Sequence, residues 1–221
     1  MKRAHVQAGA YVVTAIALLT ATQVLLSYGR HADFAPYFRM IDPRLATIAV
    51  AISGGLALAI LSRNGWLPVV TPQPLAAVLW FLATCPFAAM AILADILFGF
   101  PRDINVPIPW ALLFYPLMGF VVEVLFHALP LAIIALAAGV RLNTGWTWLV
   151  LVALLEPAFQ FIIATAEGGA NALAVFVFLH VLAINLCELH IFRRHGFIVA
   201  WSFRVSYYLL WHVAWGHWRL L

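Results

Sequence analysis

Ionisable side chains recur near the middle of the apolar segments in the C-terminal half of this chain. They are Glu123, Glu156, His180 and Arg204, and His212 follows on the same segment as Arg204. A charged side chain at the centre of a bilayer costs roughly 2.5–3.5 kcal/mol on insertion scales, so each needs a partner, a water-filled cavity or a function. Because these residues lie at similar depths, we expect one shared polar site among the last four spans.

The spacing of these residues places acidic groups and imidazoles on common helix faces. Glu123 and His127 are separated by one helical turn, as are Glu156 and Gln160. A carboxylate beside imidazoles can act as a general base on water, while the imidazoles hold the water, a metal ion or a developing oxyanion. The candidate catalytic residues are Glu123, His127, Glu156, His180, Arg204 and His212. If a divalent metal such as zinc is bound, the expected ligands are Glu123, His127 and His180.

A structural interpretation of the same residues is also open. Glu123 and Glu156 can form an ion pair with Arg204 inside a helical bundle. His180 can be satisfied by an interhelical hydrogen bond, for instance with Asn185. In that case the polar residues hold the helices together and carry out no reaction.

Ionisable residues closer to the ends of the spans are expected at the membrane surface. Glu188 and His190 approach the end of the sixth span and can extend toward the headgroups. His217 lies among Trp215 and Trp218, which is typical of an interfacial aromatic belt.

The composition requires a membrane-embedded fold. Of the 221 residues, 66% are hydrophobic and 9% charged, with a mean hydropathy of +1.02. Soluble domains carry roughly 45–50% apolar and about 25% charged residues, so that class is excluded. The net charge of +4 fits basic loops facing lipid headgroups, and no run of Lys or Arg indicates a nucleic-acid surface. We therefore expect the lipid bilayer as the partner of this chain, and we do not expect it to bind nucleic acid.

Charges and Pro/Gly clusters divide the apolar sequence into about seven predicted spans. The expected fold is an all-α, polytopic transmembrane helical bundle of six to eight crossings, forming a single integral membrane domain over residues 1–221. The predicted spans are 9–28, 45–62, 75–99, 109–140, 146–166, 171–192 and 197–218. The fourth exceeds one perpendicular crossing, so we expect Pro116 and Pro130 to kink it or part of it to re-enter the membrane.

Basic residues in the loops specify the orientation only weakly. With the N-terminus inside, the inner loops hold six basic residues and the outer ones five. The short basic start, Lys2 and Arg3, and the turn Arg193-Arg194 favour a cytoplasmic N-terminus.

The stretch Val122-Glu123-Val124-Leu125-Phe126-His127 resembles the first motif of the CPBP family, the CAAX-processing and bacteriocin-processing intramembrane proteases, also called Abi-type. That motif is Glu-Glu-x-x-x-Arg, commonly with Phe before the Arg. Glu123 and Phe126 match it, while Val122 and His127 replace the first Glu and the Arg.

Two later segments add to this resemblance. The family's second motif, Phe-x-x-x-His, has a literal counterpart in Phe176 and His180, whereas by order along the chain Glu156 and Gln160 lie nearer its expected place. Residues 191–196 are similar to the basic-Gly turn before the family's last helix, although no His-x-x-x-Asn follows. The resemblance covers roughly residues 110–218, about half the chain.

This resemblance implies an intramembrane hydrolase, a peptidase that cuts a membrane-embedded or lipidated substrate with water activated by the motif carboxylates and histidines. Glu123 would be the base, His127 and His180 would orient water or a metal ion, and Arg204 or His212 would stabilise the oxyanion. Two other functions stay open. One is a non-catalytic relative, transporter or scaffold with a buried Glu/Arg/His cluster, and the other is a redox protein whose histidines ligate haem.

Overall fold

The computed structural model describes residues 2–66, 74–137, 146–168 and 171–221, and it confirms an all-α, multi-pass fold. These residues form eight helices and no strand. Within this part of the chain, six helices are long and apolar enough to cross a membrane. The chain is therefore an integral membrane protein embedded in a lipid bilayer.

The helices follow the predicted spans closely. They are α1 (Lys2–Ser27), α2 (His31–Phe38), α3 (Pro43–Arg63), α4 (Pro74–Phe98), α5 (Ala111–Val122, Glu123–Ala128 and Leu129–Ala137), α6 (Trp146–Ala153 and Leu155–Gly168), α7 (Ala172–His195) and α8 (Phe197–Tyr208, Leu209–Trp215 and Gly216–Leu220). The six membrane-capable helices are α1 and α3–α7, and α8 is of similar length but richer in polar and aromatic residues. Neither α2 nor the 3₁₀ turn Arg102–Ile104 is predicted, and the predicted end of the fourth span at residue 140 lies outside the described residues.

The central helix of the bundle is α5. Half of its most apolar window is buried, against 28–39% in the other five membrane-capable helices of the described chain. It packs against α1, α3 and α8, with Leu117, Phe120 and Val124 wholly buried. The inner face of α5 is therefore surrounded by protein, whereas side chains on its other face, such as Leu125 and Ile133, are exposed.

A π-helical turn, Glu123–Ala128, interrupts α5 just before Pro130. Pro130 has no amide hydrogen to donate to the carbonyl of Phe126, and a widened turn is one way for a helix to accommodate that loss. Within it, the amide of Leu129 donates to the carbonyl of Val124, five residues earlier. The helix is continuous over its described length, so the long fourth span crosses as one helix with a π turn and does not re-enter.

Close packing brings α3 against this π turn. A Cβ atom added to Gly54 would lie 2.7 Å from Cγ2 of Val124, a distance that real Cβ atoms do not show. Only glycine therefore allows the α3 backbone to approach α5 this closely.

The last two helices are joined by a single residue. Gly196 has a φ of 91°, in the left-handed region that glycine adopts without strain. Since α8 turns back at this point, it packs alongside α7. The turn thereby sets Arg204 beside the second half of α7.

Candidate functional site

One arginine joins carboxylates from three other helices. Arg204 of α8 donates from Nε to Oε1 of Glu123 on α5 at 3.0 Å. Its two terminal nitrogens donate to the two oxygens of Glu156 on α6, Nη1 to Oε1 at 3.2 Å and Nη2 to Oε2 at 3.1 Å. Nη2 also donates to Oε2 of Glu188 on α7. The planar, five-donor guanidinium is suited to such multiple contacts, which a lysine could not make.

Two neutral side chains complete the coordination of Arg204. Nη2 donates to Oδ1 of Asn185 at 3.0 Å, and Nη1 donates to the hydroxyl of Tyr208 at 3.4 Å. The amide nitrogen of Asn185 in turn donates to the carbonyl of Ala153 at 3.1 Å. That carbonyl has no helical donor because the residue four positions later is Pro157. Asn185 therefore links the interruption in α6 to the arginine.

Glu123 and His127 form a hydrogen-bonded pair on the π turn. Nδ1 of His127 lies 2.9 Å from Oε2 of Glu123, while Nε2 has no partner among the described residues. On α6, Nε2 of Gln160 donates to Oε1 of Glu156 at 3.0 Å. Both pairs expected from the four-residue spacing are thus in contact.

We call these residues the Arg204 cluster: Glu123, His127, Glu156, Asn185, Glu188, Arg204 and Tyr208. Its carboxyl, imidazole and guanidinium groups are buried, with exposures of 0% for Glu123, His127 and Glu188, 2% for Glu156 and 3% for Arg204. With all carboxyl groups ionised and His127 neutral, three negative groups face one positive group. A buried charge without compensation is costly, so this excess has to be balanced by protons or by a cation.

The structure brings together four of the six candidate catalytic residues and places the other two elsewhere. Glu123, His127, Glu156 and Arg204 belong to the cluster. Nε2 of His180 instead pairs with the hydroxyl of Tyr207 at 3.1 Å.

His212, the other candidate outside the cluster, packs near the end of α8. Its Nδ1 lies 3.2 Å from Oδ1 of Asn105, and its ring stacks on Tyr115 with centroids 4.5 Å apart. The three histidines considered for haem, His127, His180 and His212, each hydrogen-bond a different residue.

Two members of the cluster differ from expectation. Glu188 is wholly buried against Arg204, so the prediction that it extends to the membrane surface is wrong. Asn185 bonds Arg204 and Ala153, whereas His180, its suggested partner, bonds Tyr207. A signal was present in the sequence, because Asn185 and Glu188 are three residues apart and share one face of α7.

One group of residues in the described chain has the composition and geometry to hold a metal ion. Glu123, His127 and Glu188 each offer one ligand atom, and these atoms lie within 4.8 Å of one another. The expected set was Glu123, His127 and His180, so Glu188 takes the place of His180. His180 of α7 matches the second motif in sequence. The residue of α7 that contacts the cluster is instead Glu188, two helical turns further along.

Comparison of the chain with protein-family models, curated proteins and solved structures finds no match. The chain is a multi-pass helical membrane protein whose central helix carries a buried glutamate–histidine pair, held by an arginine within a carboxylate-rich cluster.

Proposed function

We propose that this chain is an intramembrane hydrolase of the CPBP type, with the Glu123–His127 pair at its catalytic centre. The observation that carries the proposal is the free Nε2 of His127, on a ring whose Nδ1 is held by Glu123. In such a pair the carboxylate orients the imidazole and stabilises its protonated form, while the other nitrogen accepts a proton from water. Glu123 thus acts as a base through His127.

The surroundings of the pair supply the other roles that hydrolysis requires. Tyr208 accepts a hydrogen bond from Arg204 and retains its own hydroxyl proton, so it can donate to a developing oxyanion. Arg204 fixes the carboxylate of Glu123 through Nε. A water that loses its proton to Nε2 of His127 would attack the carbonyl carbon of a peptide bond, and the leaving amine would recover the proton.

The positions of the family-like segments support this proposal. The first motif contributes Glu123, and the segment that corresponds by order to the second motif contributes Glu156. The helix after the basic-Gly turn contributes Arg204, so three separate segments of the resemblance meet in one cluster. His180 matches the second motif only in residue type and spacing, and it is not part of the proposed catalytic centre.

The depth of the cluster suggests the class of substrate. Arg204 and its partners lie in helices whose outer faces are apolar, with exposed residues such as Leu125 and Phe159 on the lipid side. A substrate that reaches them from the bilayer would be a membrane-embedded peptide or a lipidated protein segment. We therefore expect peptidase activity on such substrates rather than on soluble proteins.

The proposal is tested by reconstituting the purified chain in liposomes with single-span model peptides and prenylated peptides, and by detecting cleavage products with mass spectrometry. Glu123→Gln and His127→Ala are each expected to lower the cleavage rate by about 10²-fold or more, the usual contribution of a positioned general base. His180→Phe is the matched control, since it removes a buried histidine outside the cluster, and it should cleave at close to the wild-type rate. Wild-type rates in folded Glu123→Gln protein would contradict the proposal.

A second candidate is a non-catalytic relative that acts as a transporter or scaffold. It is favoured by the saturation of Arg204, all three of whose guanidinium nitrogens donate to carboxylate or neutral acceptors. Such a network can serve as a structural connection between helices. A folded wild-type chain that cleaves none of the peptides would support this candidate.

We infer a cytoplasmic N-terminus from the side of the membrane on which the basic segments meet. Gly196, beside Arg193 and Arg194, lies against Gln7 near the start of α1. The opposite end of α8 is anchored by Arg219, whose Nη2 donates to the carbonyl of Phe100 at 2.7 Å. With α8 as a seventh crossing, reporter fusions at the two termini should show the N-terminus inside and the C-terminus outside, and the reverse pattern would overturn this orientation.

A further inference from the structure

Charged residues outside the Arg204 cluster are divided unevenly between the two ends of the bundle. The sequence on the side where α1 begins, which we call the basic end, comprises residues 1–10, 60–76, 136–148 and 190–200. It contains six Lys or Arg residues and no Asp or Glu. The sequence on the opposite side, residues 25–46, 94–110, 163–175 and 212–221, contains five Arg and five Asp or Glu. Positive charge is therefore uncompensated at one end only.

Contacts between helix ends gather the basic end around the last turn of α7. The turn between α7 and α8 lies against the start of α1. His195 packs edge-on against Trp80 near the start of α4, with ring centroids 5.6 Å apart, and His190 stacks on Trp146 at the start of α6, with centroids 5.5 Å apart. Tryptophan is enriched where a membrane meets water. The two tryptophans therefore mark the level of the lipid headgroups beside the last turn of α7.

Two arginines in this last turn have no acidic partner. Arg193 and Arg194 stand in sequence between the two stacked histidines, the first half-buried and the second exposed. Neither side chain forms an ion pair or a hydrogen bond with any residue of the described chain. At the opposite end, by contrast, Arg30 and Arg219 are each ion-paired with an aspartate. The basic end thus presents two guanidinium groups that are available to an anion.

The surroundings of these arginines suit the phosphate of a lipid better than a soluble anion. A guanidinium donates two parallel hydrogen bonds to phosphate oxygens, and it lies here at the depth where phospholipid headgroups are found. Exposed apolar side chains follow each tryptophan toward the middle of the bilayer, Leu82 on α4 and Val150 on α6. Acyl chains can pack on these residues while the headgroup contacts the arginines. A soluble phosphate would make only the polar contacts.

We infer that the basic end binds the headgroups of anionic phospholipids through Arg193 and Arg194. A zwitterionic lipid carries an ammonium group beside its phosphate, which unopposed arginines repel, whereas phosphatidylglycerol carries no such group. With the N-terminus in the cytoplasm, as proposed above, this end faces the leaflet that carries the negative surface potential. The inference goes beyond the proposed hydrolase activity, because lipid binding is measurable whether or not the chain cleaves a peptide.

The test measures binding of phosphatidylglycerol and phosphatidylcholine with the same acyl chains to the full chain, delipidated in a neutral detergent, by native mass spectrometry. The wild type should bind phosphatidylglycerol about 10-fold or more tightly, because each basic residue at an anionic surface adds a several-fold gain in affinity. Arg193→Gln combined with Arg194→Gln should abolish this preference. Arg39→Gln combined with Arg44→Gln is the matched control, since it removes the same charge from exposed positions at the opposite end, and it should keep the preference.

Thermal unfolding gives a second, independent measurement. Phosphatidylglycerol should raise the unfolding temperature of the wild type and of the control more than phosphatidylcholine does, and it should lose this advantage in the Arg193/Arg194 variant. Equal binding of both lipids by the wild type, an undiminished preference in that variant, or displacement of the lipid by equimolar inorganic phosphate would overturn the inference. Peptide cleavage by a chain without lipid preference would overturn this inference alone, and lipid preference in a chain that cleaves none would overturn only the proposed hydrolase.

Discussion

Replacing Arg204 by methionine is expected to prevent the chain from accumulating as a folded protein. The substitution keeps a long apolar stem but leaves Glu123, Glu156 and Glu188 buried without their shared cation. Removing one partner of a buried ion pair costs about 3–5 kcal/mol, and here three acids lose the same partner. Since total stabilities are only about 5–15 kcal/mol, this loss is comparable to the whole stability of the fold.

The measurement is the yield of monodisperse protein after detergent extraction, together with its thermal unfolding curve. Arg30→Met is the matched control because Arg30 also forms a two-contact ion pair, with both distances to Asp33 at 2.7 Å. That pair lies near the surface, where such contacts contribute about 0–1 kcal/mol, so the control should resemble the wild type. Equal yields of the Arg204 and Arg30 variants would show that the cluster does not support the fold.

Neutralising the whole cluster is expected to restore the folded protein that the single substitution loses. The variant combines Arg204→Met with Glu123→Gln, Glu156→Gln and Glu188→Gln, so no charge remains among these four residues. Replacing buried ionic groups by neutral groups of similar volume is often neutral or stabilising by about 1–4 kcal/mol, because no charge then has to leave water. The yield and unfolding temperature should return to near the wild-type values.

This second result also separates the two candidate functions. A folded, neutral bundle that has lost peptide cleavage would show that the charges are retained for chemistry. The neutral variant could instead stay as unstable as Arg204→Met alone. In that case the hydrogen bonds of the cluster stabilise the fold, and the explanation that uncompensated buried charge destabilises Arg204→Met is wrong. Circular dichroism on both variants establishes whether the helices are formed in each case.

The sequence by itself determined where the membrane spans lie and which polar side chains pair with each other one helical turn apart. Hydrophobic length is a property of each segment, so six of the seven predicted spans recur as membrane-capable helices of the described chain and the seventh corresponds to α8, while the excess of apolar residues required a membrane fold. The four-residue spacing of a helix likewise predicted the Glu123–His127 and Glu156–Gln160 contacts. These features depend on residues close together in the chain.

Only the tertiary structure decided which helix faces meet. Depth along a span can be counted from the sequence, whereas the rotation of a helix about its axis is set by packing against several neighbours at once. His180 and Glu188 lie on the same helix, yet the first faces Tyr207 and the second faces Arg204. The π turn before Pro130 and the close approach at Gly54 further adjust where α5 presents its side chains. The sequence thus placed Glu123, Glu156 and Arg204 at a common depth, whereas the entry of Glu188 into the cluster and the exclusion of His180 and His212 follow from contacts between distant segments.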